Sequence, residues 1–113
     1  MIDKPIVWIG SSRHDLRDFP DEARRKLGFE LRAVQRGEEP SDFKPMPTIG
    51  AGVYEIRIRT GDAFRVFYLS KFDEGLYVLH AFQKRTQKTS KRDITIGRER
   101  FKTAQEFHRQ TQK

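Results

Sequence analysis

Glu55, Arg57 and Arg59 stand two residues apart, so in an extended segment all three project from one side of the backbone. Arg65 follows in the next apolar run, and a third run leads into His80-Ala81-Phe82-Gln83-Lys84-Arg85-Thr86-Gln87-Lys88. Brought together on neighbouring strands, these residues form a cationic surface, and cleavage of RNA without a metal is chemistry that such a surface supports. That reaction needs a base for the 2′-hydroxyl, cations for the charge growing on phosphorus and an acid for the leaving 5′-oxygen. Arginine suits the cation role, because its guanidinium keeps its charge and grips phosphate as a fork. It makes a poor base, which leaves Glu55, or Lys84 with its basicity lowered by Arg85 and Lys88. Arg59, His80, Lys88, Lys91 and Arg92 are candidate RNA contacts. The competing reading of Glu55, Arg57 and Arg59 is a solvated sheet face with cross-strand ion pairs, and on either reading Arg65 is expected to face solvent. His80, in an apolar strand, also reads as a half-buried, hydrogen-bonded residue, and Phe64, Phe67 and Phe82 read as core.

Other chemistries lack their residues. The 113-residue chain has no Cys, no glycine-rich loop after a strand and no acidic cluster, and His14, His80 and His108 are widely spaced. No metal and no cofactor is therefore expected. The longest unbroken apolar run, Ile6–Ile9, is far shorter than a membrane span, and no export leader is evident, so the expected location is cytoplasmic. Charge is unevenly placed. Residues 1–82 hold 13 Lys or Arg against 13 Asp or Glu, whereas residues 83–113 hold 10 against 3, the whole of the +7 net charge. A neutral body with a basic last third suits a polyanion or an acidic protein partner.

The elements that must position these residues read as one domain over residues 1–113. Pro5–Ile9 forms a short strand, and Ser12 with Asp15 resembles a helix-start box for a short helix to about Phe19. Pro20, with Asp21 and Glu22 behind it, opens a second helix whose stripe is Phe19, Ala23, Leu27, Leu31 and Val34, ended by Gly37. Residues 38–50 carry three prolines and read as a loop, with an edge strand around Asp42–Met46. Gly52–Arg59, Phe64–Ser70 and Leu76–Gln83, joined by short turns, make an antiparallel meander. Ser90 with Asp93 starts a terminal helix to about His108, with a thin stripe of Ile94, Phe101, Ala104 and Phe107. Gly97 interrupts that stripe at a cost of about 1 kcal/mol against Ala, so this helix is expected to depend on tertiary contacts.

The blocks Gly52-Val53-Tyr54-Glu55-Ile56-Arg57, Phe64-Arg65-Val66-Phe67-Tyr68 and Leu79 to Thr89, in that order, resemble the phage-derived, HigB-like branch of the RelE/ParE toxin superfamily. The resemblance implies an α+β fold, a helical hairpin packed on a small mostly antiparallel sheet with a C-terminal helix. It implies the toxin of a type II toxin–antitoxin module, a ribosome-dependent mRNA endoribonuclease silenced by a cognate antitoxin with a helix-turn-helix DNA-binding domain. By position it places Arg57 and Arg65 on the scissile phosphate and Arg85, beside Lys84, at the leaving group. Glu55 stands where the RelE branch tends to have lysine, and no tyrosine follows the basic run to stack on the target base. The alternatives are a ParE-like DNA gyrase inhibitor without nuclease activity and an inactive nucleic-acid-binding prophage remnant.

Overall fold

The computed structural model describes residues 3–112. Its elements are β1 (Ile6–Trp8), α1 (Ser12–Arg17), α2 (Asp21–Gln35), β2 (Phe43–Pro45), β3 (Val53–Arg59), β4 (Ala63–Leu69), β5 (Leu76–Lys84) and α3 (Lys91–Thr111). The strands form one sheet in the order β1-β5-β4-β3-β2. Strands β2 to β5 pair antiparallel, and β1 joins β5 in parallel with Val7 opposite Tyr77. This is the expected α+β arrangement, consistent with a RelE-like fold.

The two faces of the sheet are covered by different helices. The α1–α2 hairpin packs on the face of Ile56, Ile58, Phe64, Val66 and Val78, where Ala23, Leu27, Leu31 and Val34 of α2 are all buried. That is the stripe read from the sequence, and burying each of its leucines and the valine contributes roughly 1.5–3 kcal/mol. Gly37 follows α2 with φ of 83°, the left-handed conformation a glycine adopts at little cost after a helix end. On the opposite face α3 covers Val53, Phe67, Leu69, Tyr77 and Leu79 through Ala104, Phe101 and Ile94.

The glycine that interrupts the α3 stripe has its reason there. A Cβ on Gly97 would stand 2.9 Å from Ile49 Cδ1 and 3.0 Å from Phe67 Cδ2, so its absence lets the helix backbone lie against the sheet. Ser90 caps α3 as expected, its Oγ accepting from the Asp93 amide at 3.1 Å. The helix runs on to Thr111, beyond the expected end near His108.

The start of α1 departs from the sequence reading. Ser11 occupies the N-cap position, and its hydroxyl donates to Asp15 Oδ2 at 2.7 Å. Ser12 is the first helical residue and is fully buried, with Oγ donating to the Val78 carbonyl at 3.0 Å. The serine that resembled a cap instead ties α1 to β5.

Candidate nucleic-acid interface

Register assembles the basic residues. Arg57 pairs with Arg65 across β3 and β4, Arg65 with Phe82 across β4 and β5, and Ala63 bridges Arg59 to Lys84. Directly opposed residues share a face, so Glu55, Arg57, Arg59, Arg65, His80 and Lys84 lie on the side that α3 covers. The helix covers only the apolar end of that side. Beyond Phe67 and Phe82 the face is ionic and opens into a cleft of about 650 Å³ whose walls include Arg59, Arg65, Lys84 and Arg85. Asp62 is the one acid in its lining.

The expectation of a solvated row fails at two of its members. Glu55 is wholly buried, between Lys44 of β2 and Phe67 of β4 in the register, and Arg65 is only 8% exposed. Glu55 Oε1 lies 3.4 Å from Arg57 Nε and 3.6 Å from Arg65 Nε, the second an ion pair too long for a hydrogen bond. Glu55 Oε2 has no partner among the described residues. Arg65 donates from its guanidinium to the Phe64 carbonyl at 3.1 Å. Arg57 is half-buried, and Asp42 lies 3.9 Å from its guanidinium. A single buried carboxylate therefore holds two arginines side by side, a pair of like charges that would otherwise repel.

Two shifted groups bear on proton transfer. Burial lowers the Lys84 amine below the ordinary lysine range, and Arg65 lowers it further against the opposing pull of Glu55. Burial also lowers Arg65, against Glu55 and with the help of Arg57 and Arg59. Arg85 is exposed and donates to Gln83 Oε1 at 3.1 Å. Lys84 and Arg85 also line a second cleft of about 620 Å³ on the other side of the β5 end, so both residues form a ridge between the two openings.

The candidate RNA contacts divide. Arg59, Lys88, Lys91 and Arg92 are exposed. Arg59 lines the first cleft and Arg92 the second. His80 is not presented as a surface contact. It is 5% exposed, with Nε2 2.7 Å from Asp93 Oδ1 and Nδ1 unpartnered, and burial lowers its basicity against the Asp93 bond. Its hydrogen-bonded reading was the apt one, and Phe64, Phe67 and Phe82 are core as read.

Lys44 escaped the sequence reading. It lies opposite Glu55 from β2, inside a proline-rich stretch whose lack of period gave no sign of a site residue. Asp93 was legible as a helix-start residue, but its bond to His80 spans thirteen positions and needs the tertiary contact. Among the described residues no three His, Asp or Glu gather to hold a metal ion. None of the helices described is long and apolar enough to cross a membrane.

The fold and site together are an α+β sheet with an open, cation-walled cleft at one end. Residues 14–102 match the family described as Phage derived protein Gp49-like (DUF891), and the chain belongs to that family. The matched span takes in every residue of the Glu55–Arg85 cluster. No curated protein matches the chain.

Proposed function

We propose that the chain is the toxin of a type II toxin–antitoxin module, of the HigB-like branch of the RelE/ParE superfamily, and cuts mRNA on the ribosome without a metal. The observation that carries this reading is the convergence of Arg59, Arg65, Lys84 and Arg85 on one open cleft. A phosphodiester in that cleft meets guanidinium groups suited to its non-bridging oxygens. Lys84, its amine lowered, takes the 2′-hydroxyl proton. The freed oxygen attacks phosphorus to close a 2′,3′-cyclic phosphate. The 5′-oxygen leaves beside Arg85 and takes a proton from water.

Glu55 fits the base role less well. Fully buried behind Arg57 and Arg65, it positions the arginines and has no route to a 2′-hydroxyl. Ribosome dependence suits a site made of cations, since rRNA can hold the mRNA in the conformation that in-line attack requires. An antitoxin carrying a helix-turn-helix domain would silence the toxin by covering the basic surface.

The test is cleavage of a labelled mRNA by the purified chain, with and without translating ribosomes, beside Arg85→Ala. Cuts within codons should appear only with ribosomes and slow roughly 100-fold or more in the variant. The cleavage rate should rise with pH and level off below the ordinary lysine pKa of about 10.4. Cutting without ribosomes would remove them from the mechanism. No cutting under either condition would withdraw the catalytic roles and send the chain to a gyrase supercoiling assay.

A further inference from the structure

The outer face of α2 carries a second basic surface, remote in sequence from the C-terminal excess. Arg25, Phe29, Arg32 and, at the C-cap, Arg36 follow one another at steps of four, three and four, with Gly28 beside Phe29, so they form one stripe along the solvent side of the helix. Phe29 is 68% exposed, more than any other large apolar side chain described. Beside it lies a mostly apolar hollow of about 340 Å³ lined by Phe29, Ile58, Arg25, Lys26 and Glu30, whose carboxylate is already engaged by the Ser41 amide and hydroxyl.

Gly28 supplies an independent observation. A glycine inside a helix costs about 1 kcal/mol against Ala, and a Cβ at this position would meet nothing within 4 Å. Gly97 is explained by the sheet packed against it, whereas no part of the described chain explains Gly28. A bare backbone beside an exposed aromatic residue permits close approach of another helix.

We propose that this stripe docks an amphipathic, acid-flanked helix of a partner protein, with an aliphatic side chain of that helix seated between Phe29 and Ile58. Charge selects the occupant. Arg25 has no ion pair among the described residues, and the pairs of Arg32 with Asp3 (3.3 Å) and Arg36 with Glu38 (3.8 Å) are exposed and exchangeable. Two copies of this chain meeting here would oppose the same arginines, so self-association is disfavoured. RNA fits less well, because the lining of the hollow is mostly apolar and offers a single aromatic ring, where successive bases would need several to stack on. The proposal goes beyond the RNA-cleavage reading and does not depend on it, since its readout is peptide binding.

The probe is a fluorescein-labelled synthetic helix with leucines at steps of three and four and glutamates on both flanks, titrated into the full chain. Its control replaces every glutamate by lysine. The glutamate helix should bind and the lysine helix should not. Phe29→Glu should raise the Kd about tenfold or more by removing the anchor and adding repulsion. Gly28→Leu should also weaken binding while leaving the fold intact by circular dichroism, because leucine is the better helix former but blocks approach. Equal binding of the glutamate helix to the wild type and both variants would overturn the proposal. So would a single-stranded RNA oligonucleotide whose binding is lost in Phe29→Glu while the peptide's is kept, or a dimer in sedimentation that Phe29→Glu dissolves.

Discussion

The two faces of the sheet are written in the same strand alternation and end differently. The hairpin face is apolar from end to end, Tyr54, Ile56 and Ile58 of β3 lying beside Phe64, Val66 and Tyr68 of β4, and α2 covers it with a matching stripe. The α3 face is divided. Its Val53–Leu69–Tyr77 end is packed against the helix, whereas its Glu55–Arg57–Arg65 end is ionic and ends in an open cleft. Apolar surface gains free energy from a covering helix, but covering several cations would cost desolvation that one carboxylate cannot offset. The cleft exists where burial ceases to be favourable.

Core substitution on the hairpin face sets the upper bound of that comparison. Leu27→Ala, at a fully buried position, should cost about 2–5 kcal/mol in urea unfolding, and little or no loss would mean that the hairpin face is not the continuous core described. On the divided face Arg65→Ala should approach that size, about 3 kcal/mol, because it leaves buried Glu55 facing Arg57 alone. Adding Glu55→Ala to it should recover part of the loss, since the unpaired charge is gone. A cost near the ~0.5 kcal/mol typical of an exposed site would return Arg65 to the solvent.

His80 should give the divided face a pH dependence that the hairpin face lacks. Its folded-state pKa lies below the ordinary value of about 6.5, so the unfolded chain takes up the proton first. Stability should be full above that value and fall as the pH drops from it, by at most about 1.4 kcal/mol per pH unit. His80→Gln should flatten the slope between roughly pH 6.5 and 5, before ordinary carboxylates titrate. The smallest effect belongs to Arg59→Ala at the exposed rim, within about 0.5 kcal/mol of the parent in stability.

Local features were legible in the sequence because they answer to short-range physics. The α2 stripe, the Ser90 cap, the meander turns and the stop at Gly37 each depend on residues a few positions apart. The same logic misread Ser12, whose hydroxyl is directed to Val78, sixty-six residues on, and not to its own helix. It also could not rank Glu55 against Lys84. Glu55 and Arg57 alternate with apolar residues as a solvated strand face would, and the burial of Glu55 arises only once β2 and β4 flank it in the sheet.

From the chain alone came the elements, their order, the α+β class and the basic residues gathered along the three long strands. Those follow from periodicity, turn chemistry and charge, which a sequence carries residue by residue. Tertiary structure decided which cations are buried, that Lys44 of β2 lies opposite Glu55, and that one carboxylate braces two arginines. The reason is that burial and pKa depend on what lies across the strand and above the sheet, and those neighbours are brought together only by long-range packing.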